Sequence, residues 1–267
     1  ERPTTLDYLE KIFDRFFELK GDRHYGEDPA LIGGIALFDG MPVTVMGHQK
    51  GRNLKENIYR NYGMAHPEGY RKALRLAKEA ETFGRPIITF VDTSGAYPGV
   101  SSEERGIGEA SAKNLKEFSV IEVPIVSIII GEGGSGGALG ITVGDEVYMM
   151  ENSIYSVISP EGCASILLRD ASRAKLAADL MKLTAEDLYS FRVVQGIIPE
   201  PEGGAHKDFA ATASNLRDQI AESLSRLMPK RHKLLLKERS DKLLSLGPFY
   251  GEVEKRQGLF ERLFKHV

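Results

Sequence analysis

Apolar residues recur along this chain in two rhythms. Over residues 5–20, Leu6, Leu9, Phe13, Phe16 and Phe17 fall three or four apart, which predicts one amphipathic helix with Thr5 as its N-cap and Gly21 as its stop. LIGGIALF (31–38) and PVTVMGHQ (42–49) are β-rich, and the Asp39-Gly40 pair between them predicts a tight hairpin, because that turn needs positive φ. Pro67 in a first turn, with Ala73, Leu76, Ala77, Ala80 and Phe83 on one face, predicts a helix over 67–83. From residue 86 the pattern repeats. Short apolar runs at 86–92, 123–130, 146–150, 154–158 and 193–199 alternate with helical stretches at 103–118, 135–143, 163–190 and 208–246. Fully apolar strands between helices imply a buried, largely parallel sheet, in which ligands gather at the carboxyl ends of the strands. No fixed-period repeat and no Ser/Gly/Pro linker divides the chain. It reads as one α/β domain over 1–246 with a tail at 247–267.

Composition adds one fact. Glycine occurs 28 times in 267 residues, against an average of about 7%. The glycines cluster where the strands end: Gly95 and Gly99 after one, Gly131, Gly133, Gly134, Gly136 and Gly137 after the next, and Gly162 after a third. Glycine lets a ligand approach main-chain N–H groups, and a helix start adds free donors with partial positive charge. GEGGSGG (131–137), read as the turn between a buried strand and a short helix, is therefore suited to a negative oxygen.

Several chemistries compete for that segment. Gly131 to Gly136 fits G-x-G-x-x-G, with Glu151 twenty residues on, but the match lies mid-chain within a glycine-rich run. Gly133 to Gly137 fits G-x-S-x-G, so Ser135 is a candidate hydrolase nucleophile, with His206 as base and Asp170, Asp179 or Asp187 between them in the chain. Asp92-Thr93-Ser94-Gly95 mimics a GTPase D-x-x-G, but no G-x-x-x-x-G-K-[ST] accompanies it. A further reading needs no catalytic side chain: glycine-lined N–H groups that stabilise an enolate or oxyanion while a cofactor supplies the reactivity.

The stretches GHQKGR (47–52), GMAHPEGYRKALRL (63–76), ITFVDTSGAYPGVSSEERG (88–106), GEGGSGGALGI (131–141), YSVISPEGCASIL (155–167) and IIPEPEGGAH (197–206) together resemble the α subunit of bacterial acetyl-coenzyme A carboxylase carboxyltransferase. The resemblance runs over roughly residues 3–230 and implies a crotonase-like fold, a spiral of ββα units with flanking helices. It implies transfer of a carboxyl group from carboxybiotin, carried on a separate biotin carboxyl carrier protein, to acetyl-coenzyme A, giving malonyl-coenzyme A for fatty-acid synthesis in the cytoplasm. It implies a zinc-ribbon β subunit as partner in an α2β2 assembly. Gly136 and Gly137 would form the oxyanion hole, with Gly133, Gly134, Gly95, Ala96 and Gly162 as substrate-binding walls of the same cleft. The family's N-terminal helical extension is missing, so the chain reads as trimmed. The tail, with Leu259, Phe260, Leu263 and Phe264 at helical spacing, matches nothing in that family.

Charge and cysteine count fit this picture. Lys+Arg 35 against Asp+Glu 38 leaves a net charge of −3, no sign of a nucleic-acid binder. The most apolar run, Val123–Ile130, is far shorter than the ~20 residues of a membrane span. One cysteine, Cys163, makes neither an internal disulfide nor a cysteine zinc site, so no metal is expected in this chain. Cys163 reads as a structural thiol. Lys50, Arg52, Lys55 and Arg60 form a basic stretch that either lies in solvent or meets phosphate. Glu132 and Glu161 read as structural, since a carboxylate beside an oxyanion pocket opposes charge development.

Overall fold

The computed structural model describes residues 2–247. The tail expected at 247–267, apart from its first residue, lies outside the described residues.

The first element is half the length that its apolar spacing predicts. Helix α1 (Thr5–Ile12) starts from Thr4, not Thr5, with the Asp7 carboxylate accepting from the Thr4 N–H at 2.7 Å. The chain then leaves helical geometry at Phe13 and runs as strand β1 (Arg15–Glu18), antiparallel to the next strand. Phe13 turns into the core against Phe38 and Phe90, and Phe17 is left 69% exposed. Spacings of three and four suited a helix, but the free edge of the sheet recruited these residues instead, a tertiary choice that local propensity does not show.

Strands β2 (Leu31–Phe38) and β3 (Met41–His48) form the expected hairpin, with positive φ at Asp39 and Gly40. Helix α2 (Leu54–Tyr59) and then α3 (Pro67–Thr82) come after it, the latter as its spacing predicts. Strand β4 (Ile87–Thr93) is buried along its whole length. The helix expected over 103–118 is two, α4 (Val100–Glu104) and α5 (Ile107–Ser119), separated at Gly106 with φ +79°. Strand β5 (Ile125–Gly134) runs on through Gly131–Gly134, which the sequence assigned to a turn. Helix α6 (Ser135–Thr142) and strands β6 (Glu146–Met150) and β7 (Ile154–Ser156) come next. Residues 163–190 hold only short pieces, chiefly the end of α7 (Pro160–Cys163), α8 (Ala174–Met181) and α9 (Ala185–Ser190). Strand β8 (Gly196–Ile198) precedes α10 (Phe209–Leu227) and α11 (His232–Ser245).

The strands order as β1-β2-β3-β4-β5-β6-β8, parallel from β3 onward, with β7 attached to β5 alone. β5 therefore changes partner along its length: Val126–Ile129 pair with β6, and Glu132–Gly134 pair with β7. One face of the sheet packs Phe90 and Ile128 against Tyr8 of α1 and Leu216 and Ile220 of α10. The other packs Ile87 and Ile129 against Leu76 of α3 and Phe118 of α5. Arg239 anchors α11. Buried, it pairs with both Asp145 oxygens at 2.8 Å and donates to the carbonyls of Phe118, Ile121 and Val123. No helix among the described residues is long and apolar enough to cross a membrane.

Candidate active site

β4 and β5 lie side by side and parallel, so their carboxyl ends open at one edge of the sheet. The chain leaving β4 turns through Ser94–Ala96, and the chain leaving β5 passes directly into α6. These two segments, with Ile107–Gly108 of α5 and Val157–Ser159 beyond β7, enclose a cavity of about 410 Å³. Gly95, Ala96, Gly136 and Gly137 all line it.

The two glycines of α6 do different work. A Cβ on Gly137 would stand 2.3 Å from the Gly95 carbonyl carbon and the Ala96 nitrogen, so glycine there lets the helix press onto the β4 turn. A Cβ on Gly136 would meet nothing within 4 Å, and that residue is exposed. Packing does not explain glycine at 136. The N-cap of α6 is Gly134, which has no side chain to satisfy the first-turn N–H groups. Ser135 turns strand into helix at φ +52°, an uncommon conformation for a residue with a Cβ. The outcome is an uncapped helix start with its partial positive charge at the wall of a cavity.

Among the residues lining that cavity none is ionisable: Ser94, Ser111, Ser135 and Ser159 supply its polar side chains. His206 lines a separate cavity with Arg2, Asp7 and Phe209. Ser135 and His206 are thus not brought together, and the hydrolase reading lacks its base. The G-x-G-x-x-G reading also loses its context, because Gly131–Gly134 belong to a strand, not to a strand-to-helix loop.

Gly133 and Gly134 stand behind the cavity, not at its surface. A Cβ on Gly133 would be 2.7 Å from the Tyr155 ring, and one on Gly134 would be 2.1 Å from the Ser94 carbonyl oxygen. Gly162 lies in the first turn of α7, outside the lining, and donates its N–H to Ser159 Oγ at 3.1 Å. Ser159 opens the SPEGCA stretch (159–164), whose Gly162 the resemblance placed at a wall, whereas Ser111, Val157 and Ile158 were not singled out by sequence reasoning.

A second cavity, of about 640 Å³, shares Ser94 with the first and is charged. Lys50, just past β3, reaches Asp92 Oδ1 at 2.9 Å and Glu132 Oε2 at 3.0 Å. Asp92 Oδ1 also accepts the Glu132 N–H at 3.0 Å. Burial alone would lower the Lys50 pKa, but Asp92 and then Glu132 outweigh it and hold it above the ordinary lysine value. Two further basic residues of this stretch are also engaged: Arg52 pairs with Asp7, and Arg60 donates to the Pro29 carbonyl at 2.8 Å. Nearby, His48 is fully buried, neither ring nitrogen has a partner, and burial, then the Lys50 charge, lowers its pKa to about 3. His66 bonds Ser102 Oγ at 2.7 Å and packs on Tyr97.

Known proteins resemble this chain in sequence and in fold. Residues 1–247 match the family described as acetyl co-enzyme A carboxylase carboxyltransferase-like. The acetyl-coenzyme A carboxylase carboxyl transferase subunit alpha of Treponema denticola is 63% identical over 249 residues, 93% of this chain and 82% of that one. Among solved structures, a transcarboxylase 12S superposes with a TM-score of 0.71 at 22% identity, covering 86% of this chain but only 42% of its own length. A Pseudomonas malonate decarboxylase hetero-dimer superposes with a TM-score of 0.64 at 19% identity, covering 80% of this chain and 89% of that one. The fold is that of the crotonase-like carboxyltransferases. The chain belongs to the acetyl-coenzyme A carboxylase carboxyltransferase α-subunit family and is the carboxyltransferase component of that enzyme.

Proposed function

We propose that this chain forms one wall of a site where a carboxyl group passes from carboxybiotin, borne on a separate biotin carboxyl carrier protein, to acetyl-coenzyme A, giving malonyl-coenzyme A. The observation that carries the reading is the pairing of Gly136 and Gly137: one opens the wall, and the other seats the helix start that forms it. Gly136 is exposed on the cavity lining and a Cβ there would meet nothing within 4 Å, so a planar ureido group can approach its backbone, and the residues present fit that group. Carboxybiotin, when bound, supplies the carboxyl group, and its ureido oxygen gains negative charge as that group leaves.

The chain's own part is electrostatic and steric. The N–H groups of Gly136 and Gly137 donate to the developing charge, and such preorganised donors are worth about 10²–10³ in rate each. Ser94, Gly95 and Ala96 continue the wall beside Gly137. Among the lining residues no carboxylate opposes that charge and no side chain acts as a base. The acyl-coenzyme A half of the site and the zinc ribbon belong to a β subunit, in an α2β2 complex. The free thiol of Cys163 fits a reducing cytoplasm.

The test is co-expression with a zinc-ribbon β subunit and assay of carboxyl transfer between malonyl-coenzyme A and biotin. We expect a stable complex whose turnover neither subunit shows alone. Failure to form it, or esterase activity of this chain alone with fluorophosphonate labelling of Ser135, overturns the reading.

A further inference from the structure

The register between β4 and β5 breaks just before the glycine cavity. Val91 pairs with Ile129 and Thr93 with Gly133, so Asp92 alone stands opposite three β5 residues, Ile130, Gly131 and Glu132. A bulge of this kind bends a strand and re-aims the chain beyond it, and bulges gather beside active sites. Beyond this one lies Gly134–Gly137, the start of α6.

Asp92 holds this bulge from inside the sheet. Its Oδ1 accepts the Glu132 N–H at 3.0 Å. A Cβ on Gly131 would lie 2.6 Å from the same oxygen, so glycine at 131 lets the carboxylate sit against the strand backbone. The Asp92 side chain is 10% exposed, and a carboxylate so placed needs a partner. Lys50 is that partner. Its ammonium also holds the Glu132 carboxylate on the other side of the bulge. The three residues come from three strand ends, and the cavity they line shares Ser94 with the glycine cavity.

We infer that Lys50 is a positioning residue for carboxyl transfer: by neutralising Asp92 and Glu132 it fixes the β5 bulge that aims Gly136 and Gly137, and it shields the glycine cavity from their negative charge. Lys50 does not touch the reacting atoms. Without it, Asp92 is a nearly buried, unpaired carboxylate close behind an oxyanion site. Other ionisable groups near Asp92 include Arg2, tied to Glu200, Tyr62 on the same cavity lining, and the Tyr8 hydroxyl, which feels the Asp92 charge. None of these three bridges the two carboxylates as Lys50 does.

The experiment compares Lys50→Met, Lys50→Arg and Lys50→Met/Asp92→Asn in the complex with the β subunit. Displacing a catalytic wall by about 1 Å costs on the order of 10² in rate, so kcat of Lys50→Met falls by about that factor with KM for malonyl-coenzyme A little changed. Lys50→Arg recovers part of the loss. The double variant recovers more, because the amide that replaces the Asp92 carboxylate keeps an oxygen for the Glu132 N–H but carries no charge.

A second readout needs no substrate. Hydrogen exchange in the full chain accelerates about tenfold over 130–134 in Lys50→Met, while Val126–Ile129 stay protected. Wild-type kcat and wild-type exchange in Lys50→Met overturn the inference, as does a double variant no faster than the single one. The kinetic arm rests on the proposed reaction and the exchange arm does not. An inactive wild-type complex with accelerated exchange in Lys50→Met would therefore strike the reaction and leave the bulge assignment standing.

Discussion

Two cavities meet at Ser94, and they are built on opposite plans. The glycine cavity has backbone donors, four serines and apolar walls, with no ionisable side chain among its lining residues. The charged cavity has Arg2, Lys50, Asp92 and Glu132 in paired arrangement. Both are fed by the same two strand ends. The contrast separates two uses of electrostatics. Full charges hold the backbone in place on one side, where each is matched by a neighbour. On the proposed function, partial charges act on the other side, where a fixed full charge would favour or oppose the reaction regardless of its progress.

The glycine pair gives the largest test of that contrast. Gly137→Val drives a side chain into the Gly95–Ala96 peptide and destabilises the fold by at least about 3 kcal/mol, since overpacking costs ~1–3 kcal/mol even against side chains. Gly136→Val meets open space, so its stability stays within about 0.5 kcal/mol of wild type. Its transfer rate nevertheless falls by about 10²–10³ as the open wall is filled. Denaturant unfolding and turnover, measured on both variants, separate packing from chemistry. A fully active Gly136→Val would refute the role of that wall.

The charged side responds to acid in a way the glycine side does not. His48 titrates near its ordinary 6.5 when unfolded but only at about 3 in the fold, where burial keeps it neutral. Between those values the unfolded chain binds the extra proton, so stability falls as pH is lowered from about 6.5 towards 3. His48→Met removes the titrating group, and its unfolding free energy should show a shallower acid slope over that window.

Ser135 gives the smallest effect and the most direct check on the hydrolase alternative. Ser135→Ala keeps carboxyl transfer near the wild-type rate, because no base faces that hydroxyl across the cavity. Ser135→Gly relieves the left-handed φ and raises stability by about 1 kcal/mol, read as a shift in the denaturation midpoint. Loss of transfer in Ser135→Ala would mean that the hydroxyl itself takes part.

Much of the scaffold could be read from the chain because its signals are local. The Asp39-Gly40 turn, the face of α3 and the apolar runs of β4 and the first half of β5 each carry their own pattern. Expectation and structure part where a distant partner decides the outcome. Residues 15–18 became a strand because β2 offered them an edge. The end of β5 through Gly134 became a strand because β7 pairs with it, although glycine is among the weakest strand formers. The glycine clusters pointed to the edge of the sheet where β4 and β5 end, but not to which glycines face the cavity there and which stand behind it. That division depends on Ser94 and Tyr155, which the sequence does not place. The Lys50–Asp92–Glu132 cluster had no signal, since residues so far apart in the chain meet only once the strand order is known.

The double allegiance of β5 bears on how its family can change length. Most surface turns accept an added residue, and the Asp39-Gly40 hairpin is a turn of that kind. Between Glu132 and Gly134 no such freedom exists, because β7 fixes the register on one side and the Thr93–Gly133 pairing fixes it on the other. One added residue there would carry Gly134 away from Ser94, the contact that only a glycine fits, and bring a side chain into its place. Insertions and deletions among relatives should therefore collect at the hairpin and in the short helices of 160–190, and stay out of Glu132–Gly134.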